Sequence, residues 1–140
     1  MQLIGFSFQK VSVEKFSPLK EGLKINTKID ISNIEKIKTD FFKGKGDILE
    51  IKFTYDIEYD PKIAKIEIAG TVLLEVDSKD SKEILKQWKN KKISEKFRIP
   101  LFNIILRKSN VKALQLEEEM NLPLHIPLPS LKPQNTQENK

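Results

Sequence analysis

The chain has 140 residues, enough for one domain with its own hydrophobic core, and its hydrophobic content of 39% is that of an ordinary globular protein. Its net charge is +5, but acidic residues are also numerous, which indicates a mixed, well-solvated surface. Because the sequence contains no cysteine, disulfides, thiol catalysis and cysteine-ligated metal sites are excluded.

The sequence also bears on location and domain organisation. The first residues lack the basic start and apolar run of a signal peptide, and no window approaches the roughly 18 apolar residues that span a bilayer. We therefore expect a cytoplasmic protein. One domain is predicted over residues 1–133, followed by a polar, disordered tail over residues 134–140.

The first predicted element is a strand over residues 3–16 whose alternation changes phase. Its apolar residues form two sets of opposite parity, Phe6 with Phe8 and Val11 with Val13. Since successive side chains of a strand point to opposite faces, the change predicts a bulge or a sharp bend near Gln9 and Lys10. With apolar residues in both halves, the strand is expected to serve two surfaces.

Three further strands show clean alternation of apolar and polar residues, over residues 23–31, 49–59 and 66–76. The two glycines of residues 42–47 suit a loose hairpin before the third strand, and Asp60-Pro61 suits a turn after it. Four strands joined by short turns predict an antiparallel meander with one apolar face, which downstream elements must cover.

Two helices are predicted to cover that face. Asp77 and Ser78 offer a cap for a short helix from about residue 79 to 91, with Ile84, Leu85 and Trp88 inward. A long helix follows, with Pro100 expected in its first turn. The predicted fold class is therefore α+β: a four-stranded antiparallel meander sheet packed on a short helix and a long C-terminal helix, followed by a proline-rich extended segment.

The long helix is apolar on more than one side. One stripe recurs at three- and four-residue steps and comprises Phe102, Ile105, Leu106, Ser109, Ala113, Leu116 and Met120. A second strip beside it comprises Leu101, Ile104, Val111 and Leu114. Because a surface helix of a monomer needs only one stripe, the second strip predicts another partner.

The segment after the helix, residues 122–133, is called the strap below. Its four prolines remove backbone donors and hold the chain extended. The residues between them are nevertheless largely apolar, which a solvated linker would avoid. An apolar, proline-stiffened strap after such a helix predicts a hydrophobic groove.

Signatures of an enzyme are scarce. The single histidine, His125, lacks a cysteine or a placed carboxylate, so a structural or rim role is predicted rather than a catalytic or metal-binding one. Gly44 and Gly46 do not continue into a phosphate-binding motif. Residues Glu117 to Glu119 fan around the helix and predict a solvated helix end, with a site for a basic partner as the alternative. We expect no enzyme, no catalytic residue, no metal site and no cofactor.

A cluster of lysines surrounds the only tryptophan, Trp88: Lys82, Lys86, Lys89, Lys91 and Lys92. Lysines with an aromatic residue can follow a phosphate backbone. Trp88 falls on the inward side of its helix, however, and only Arg98 and Arg107 supply arginine for base readout. Binding of nucleic acid is therefore the lesser alternative.

Three motifs follow one another along the chain: F-S-F-Q-K-V-S-V-E-K-F-S-P at residues 6–18, I-P-L-F-N-I-I-L-R at 99–107 and L-P-L-H-I-P-L-P at 122–129. With a long bent first strand, three more strands and a long helix, this order resembles the SecB family of bacterial export chaperones over nearly all of residues 3–131. The resemblance implies a dimer of dimers built on first strands and long helices. It also implies a holdase that keeps unfolded chains from aggregating without nucleotide.

The sequence departs from that family in two respects. The family docks the motor protein SecA through an acidic sheet face, whereas here Lys24, Lys28 and Lys52 are mixed with acidic residues on the predicted polar face. Docking of SecA is therefore doubtful. The family's second C-terminal helix and its cysteine- and histidine-containing metal tail have no counterpart after Pro129.

We therefore predict a chaperone that binds non-native polypeptide in a hydrophobic groove, with a link to export. The groove is predicted from Trp88, Phe97, Leu101, Phe102, Leu122, Leu124, Ile126, Leu128 and Leu131. A homo-oligomer interface, in a dimer or homotetramer, is predicted from Phe6, Phe8, Val11, Val13, Ile104, Ile105 and Val111. The alternative is a structural or adaptor subunit whose strap is committed to a permanent partner.

Overall fold

A computed structural model describes residues 1–38 and 44–133 of the chain. The elements in chain order are β1 (Gln2–Lys15), β2 (Lys24–Ile37), β3 (Asp47–Asp60), β4 (Ala64–Val76), α1 (Ser78–Trp88) and α2 (Glu95–Glu119). The predicted α+β class is confirmed. Residues 42–43 of the predicted hairpin loop (residues 42–47) and the predicted tail (residues 134–140) lie outside the described residues.

The four strands form one antiparallel sheet in the order β1-β4-β3-β2. The meander holds for β2, β3 and β4, but β1 departs from it and pairs with β4 at the far edge, which is a Greek-key order. The connection from β1 to β2 passes the β3–β4 turn, where the backbone N–H of Phe16 donates to the Ile63 carbonyl at 2.8 Å. The departure escaped prediction because alternation indicates the face of a strand but not its neighbour.

The predicted bulge in β1 is confirmed. Phe8 lies opposite Gly70 and Lys10 opposite Ala69, so Gln9 is the extra residue. The bulge brings Val11 opposite Ile68, which lies on the same face of the sheet as Gly70. Both halves of β1 therefore present their apolar residues to one face, and the expectation that the strand serves two surfaces is wrong.

A bulge in β2, at Ser32, extends this strand beyond its predicted end. Ile31 lies opposite Phe53 and Asn33 opposite Lys52, so the pairing skips one residue and continues to Ile37. The irregular apolar pattern after Ile31 is thus a continued strand whose phase is reset by the bulge.

The core lies between one face of the sheet and the two helices. Alternate residues of β3 and β4, such as Ile51, Ile57 and Ile66, are fully buried there. The core-facing stripe of α2 comprises Phe97, Leu101, Ile105, Ser109, Ala113, Leu116 and Glu117. Leu101, predicted for the second strip, therefore belongs to the core.

The helix ends follow their capping residues. The Asp77 side chain accepts a hydrogen bond from the Lys79 backbone N–H at 3.1 Å, which confirms the predicted cap of α1. Helix α2 begins at Glu95, so Pro100 lies inside the helix and its predicted place in the first turn is wrong. One missing amide donor is tolerated here because the packing of the core-facing stripe holds the helix.

None of the helices in residues 1–38 and 44–133 combines the length and apolarity needed to cross a bilayer.

Gly70 is predicted to be irreplaceable where β1 bulges over β4. A Cβ at Gly70 would lie 2.5 Å from the Ser7 carbonyl oxygen and 2.8 Å from Phe53 Cζ. We expect Gly70→Ala to lower the free energy of unfolding by about 2 kcal/mol or more, measured by denaturant titration. Gly5→Ala is the matched control, since its Cβ would meet Leu73 at an ordinary 3.5 Å. Equal stability of the two variants would contradict this account.

Candidate functional site

Helix α2 has two flanks on either side of its core-facing stripe. On one flank, Phe102, Leu106 and Asn110 recur every fourth residue and are half-buried. We call it the β2 flank, because Phe102 shares a surface cavity with Ile31 of β2. The opposite side is the β1 flank: Lys108 and Val111 share a depression with Phe8 of β1. The two sides of the helix therefore offer two separate surfaces.

An open depression lined by both apolar and polar residues, the Trp88 pocket, lies between β2, the end of α1 and the start of α2. It is lined by Asp30, Ile31, Ser32, Trp88, Lys91, Ile93 and Phe102. Its four hydrophobic side chains are half-buried, so each keeps part of its surface in contact with water. The Lys91 ammonium lies 4.7 Å from the centre of the Trp88 ring, within the range of a cation–π contact. The pocket can accept an apolar side chain from outside.

Strand β2 forms the edge of the sheet beside this pocket. Its inner side pairs with β3 from Lys24 to Ile37, and no strand of the described residues pairs with its outer side. An unpaired edge offers a row of backbone N–H and C=O groups to an extended chain. The pocket could hold a side chain of an extended polypeptide, while the strand edge pairs with the backbone of the same polypeptide.

A buried carboxylate organises the other end of α2. Glu117 is 0% exposed, and its carboxylate accepts a hydrogen bond from the Tyr59 hydroxyl of β3. It also accepts from the backbone N–H of His125 at 3.2 Å and contacts His125 Nδ1 at 2.8 Å. The Tyr59 hydroxyl lies 3.0 Å from the Pro123 carbonyl oxygen as well. One carboxylate therefore connects the sheet, the helix and the strap.

The hydrogen bonds continue on the far side of the imidazole. His125 Nε2 lies 2.9 Å from Asn110 Oδ1, which also accepts from the Tyr55 hydroxyl at 2.5 Å. The His125 side chain is only 2% exposed. We call the series Tyr59–Glu117–His125–Asn110–Tyr55 the buried polar chain. Because an unsatisfied buried carboxylate costs several kcal/mol, roughly, the chain holds the start of the strap in one position.

The same burial perturbs both tyrosines. Burial, and then the negative charge of Glu117, raises the pKa of Tyr55 to about 12. Burial, the hydrogen bond to Glu117 and its charge raise the pKa of Tyr59 still further above its ordinary value. Both hydroxyls therefore remain neutral donors at physiological pH.

The predicted groove residues fall into three groups. Phe97, Leu101 and Leu122 are buried in the core, which leaves them no surface for a ligand. Trp88 and Phe102 lie together in the Trp88 pocket. The strap residues Leu124 and Ile126 are half-buried, whereas Leu128 and Leu131 are 53% and 101% exposed. None of the strap residues lines the Trp88 pocket, so the structure presents two apolar surfaces in place of one groove.

The predicted interface residues are similarly divided. Ile105 is fully buried in the core and cannot reach another copy. Phe6, Phe8, Val13 and Ile104 pack partly against the core, whereas Val11 and Val111 are 37% and 56% exposed. Because Phe8 and Val111 meet on the β1 flank, the exposed members of the set share one side of the molecule with the edge strand β1.

Sequence reasoning missed the buried polar chain. Glu118 and Glu119 are exposed as predicted, but the prediction of a solvated position is wrong for Glu117. A signal was present: position 117 continues the core-facing stripe four residues after Ala113, and the hydroxyls of Tyr55 and Tyr59 on the buried face need acceptors.

Among residues 1–38 and 44–133, no three acidic, histidine or cysteine side chains converge on a metal position.

Comparison with known proteins bears on the fold. No family model and no curated protein sequence matches the chain. Among solved structures, the fold is similar to that of Mycobacterium tuberculosis Rv1957, a SecB-like chaperone in complex with a ChAD peptide from the Rv1956 HigA1 antitoxin. The match has a TM-score of 0.55 and 12% sequence identity, and it covers 95% of this chain and 92% of that one. The chain therefore has a SecB-like fold, as the resemblance of its sequence implied.

Glu117→Gln is expected to lower the free energy of unfolding by about 2–4 kcal/mol, because the amide places a donor where the site offers donors. Glu118→Gln is the matched control: it makes the same chemical change one residue away on the exposed surface and should shift stability by less than about 0.5 kcal/mol. Denaturant unfolding of both variants measures the effect. Similar losses in the two variants would refute the structural role of the buried carboxylate.

The two tyrosines of the chain allow a pH test, because Tyr55 and Tyr59 alone produce the tyrosinate absorbance. Because the pKa of Tyr55 is raised in the folded state, the neutral hydroxyl contributes to stability. This contribution is complete below about pH 10 and is lost as pH rises through about 12. We expect the folded protein to show little tyrosinate at pH 10, whereas the denatured chain titrates near the ordinary value of 10.0. Ordinary titration of both tyrosines in the folded protein would contradict the burial of their hydroxyls.

Proposed function

We propose that this protein is a chaperone without enzymatic activity that binds extended, non-native polypeptide along the β2 flank, in the cytoplasm. The observation that carries the proposal is the Trp88 pocket, in which Ile31, Trp88 and Phe102 keep apolar surface open to water beside an unpaired sheet edge. Partly exposed apolar side chains of this kind favour contact with a side chain that a folded protein would have buried.

The recognition that this surface supports is independent of a defined sequence. Backbone groups of the β2 edge would pair with any extended segment, because every residue except proline has an amide donor. The Trp88 pocket would then select segments with an apolar side chain. Unfolded chains expose such segments and folded proteins conceal them, so a surface of this type distinguishes the two.

The strap adds a second apolar surface. Leu128 and Leu131 stand three residues apart, and in the extended helix of proline-rich chains such residues lie on the same side. Both are exposed, so they are free to contact a bound chain. The proposed client surface therefore comprises Trp88, Phe102, Leu124, Ile126, Leu128 and Leu131.

The fold supports the same function. The solved structure of the SecB-like chaperone Rv1957 contains a peptide from an antitoxin, so a protein of this fold binds a polypeptide segment. In the alternative, a permanent adaptor, the exposed strap leucines 128 and 131 would be covered by the partner, and the free protein would not capture unfolded chains.

We also propose a homo-oligomer, a dimer or a dimer of dimers, that forms through β1 and the β1 flank. Val11 and Val111 are exposed apolar residues on this side, and β1 is the second open edge of the sheet. Covering them with a second copy would remove apolar surface and an open edge from water together. The solution mass from scattering tests this, and a monomer at all concentrations would exclude it.

A link to protein export remains part of the proposal. The polar face of the sheet carries charges of both signs, several of them paired: Lys10 with Glu67 at 3.2 Å and Lys65 with Glu67 at 3.3 Å. The family resemblance implies that SecA docks on an acidic sheet face. The sheet face of this chain carries mixed charges and therefore does not offer SecA such a surface. We propose that export clients, where they exist, are delivered without this docking.

Suppression of aggregation tests the proposed function. We expect the protein to keep a chemically denatured model protein soluble after dilution, at molar ratios near one to one. The double variant Leu128→Ser, Leu131→Ser should lose several-fold of this protection while its thermal unfolding stays within about 0.5 kcal/mol of the parent protein, because both side chains are exposed.

The matched control is Leu19→Ser, Ile99→Ser, which removes two exposed aliphatic side chains outside both the proposed client surface and β1. It should protect the model protein as well as the parent does. Absence of protection by the parent at several-fold molar excess would rule out the chaperone function. Equal losses in both double variants would show that the strap is not the client surface.

A further inference from the structure

The positive charge of the chain is concentrated in one segment. Residues 77–98, which include α1 and the turn into α2, contain eight basic and four acidic residues, a net charge of +4 out of the chain's +5. The remainder of the chain is almost balanced. We call residues 77–98 the basic segment.

The structure gathers the lysines of α1 on one side. Lys79, Lys82, Lys86 and Lys89 follow one another at three- and four-residue steps and are all exposed. Within the described residues, none of these four ammonium groups forms an ion pair, whereas lysines of the sheet face do. Asp80 lies on another side of the helix. Glu83, four residues after Lys79 and three before Lys86, lies beside these lysines, and its carboxylate accepts a hydrogen bond from Gln87 at 3.3 Å.

This lysine surface continues into the Trp88 pocket. No acidic residue occurs between Ile84 and Ser94, and Lys91 lines the pocket itself with its ammonium over the Trp88 ring. The one carboxylate at the pocket belongs to Asp30, which lies 3.8 Å from Lys28. Lys91 therefore places a positive charge of the basic segment directly at the pocket, and Lys89 and Lys92 are its neighbours in the chain.

We propose that the polypeptide segments held at the Trp88 pocket are acidic, with aspartate or glutamate residues next to an apolar anchor. This inference rests on the proposed function and names the class of segment that the surface prefers. An apolar side chain enters the pocket, while neighbouring carboxylates lie along Lys86, Lys89 and Lys92. Several weak, solvent-screened attractions then add to the burial of the anchor.

A nucleic acid fits the same surface less well. Single-stranded nucleic acids stack their bases on exposed aromatic faces, but Trp88 is half-buried and Lys91 lies over its ring. Arg98 is the only arginine of the basic segment, so the bidentate donors that read guanine are scarce. An acidic polypeptide uses both the apolar pocket and the lysines, whereas a nucleic acid would use only the lysines.

Three labelled peptides test the inference on the full-length protein. They share an extended apolar core without tryptophan and differ only in flanks of aspartate, serine or lysine. Fluorescence anisotropy of the label gives the affinities, and emission of Trp88, the only tryptophan, shows whether the pocket is occupied. We expect the acidic peptide to bind about tenfold more tightly than the neutral one, and the lysine peptide to bind most weakly. The difference should largely vanish at about 0.5 M salt, because surface charges are then screened.

The variant Lys82→Gln, Lys86→Gln, Lys89→Gln, Lys92→Gln should bind the acidic and the neutral peptide with equal affinity. All four side chains are exposed, so the fold should persist. The matched control is Lys20→Gln, Lys24→Gln, Lys45→Gln, Lys52→Gln, which removes the same charge outside the basic segment from exposed positions. It should retain the tenfold preference.

The outcomes separate this inference from the proposed function. Equal binding of all three peptides to the parent protein would overturn the acidic preference and leave the chaperone function standing. Failure of every peptide to bind would overturn both. Tighter binding of a single-stranded oligonucleotide that displaces the acidic peptide would assign the lysine surface to nucleic acid and overturn the inference.

Discussion

The burial of one carboxylate constrains much of this structure. Glu117 is removed from water near the end of α2, and a buried carboxylate is tolerated only where donors surround it. The donors come from β3, through Tyr59, and from the strap, through the backbone and ring of His125. Because neither partner is on the helix itself, the helix end, the sheet and the strap must be placed together. The strap follows one path over the core as a consequence.

This constraint also explains where apolar surface is left open. The strap is fixed at Leu122 and His125, and the hydrogen bonds that hold it end there. Beyond that point its leucines have no core to enter, so Leu128 and Leu131 face water. At the opposite end of α2, the helix rises from the short turn after α1, and the space between them and β2 becomes the Trp88 pocket. A fold that was filled at both ends of this helix would have nothing to offer an unfolded chain.

The sequence predicts local features of this fold better than distant contacts. Alternation located the strands, and the change of phase in β1 located the bulge at Gln9, because both depend only on neighbouring residues. It could not assign β1 to the edge beside β4, since pairing between distant strands leaves no local pattern. The buried polar chain was missed for the same reason: its members come from β3, α2 and the strap. The single predicted groove failed because Leu101 and Leu122 are needed in the core.

In the proposed function, the distribution of charge determines which extended chains the open surface prefers. Apolar contact alone does not discriminate between clients, because any unfolded segment offers hydrophobic side chains. In this chain the sheet face carries mixed and partly paired charges, whereas α1 carries lysines that no described residue neutralises. Lys91, just after this helix, lines the pocket itself, and with a screening length of about 8 Å the nearest lysines act most on a chain bound there. In the function proposed above, the fold supplies affinity for extended chains, and the charge of the basic segment supplies the choice among them.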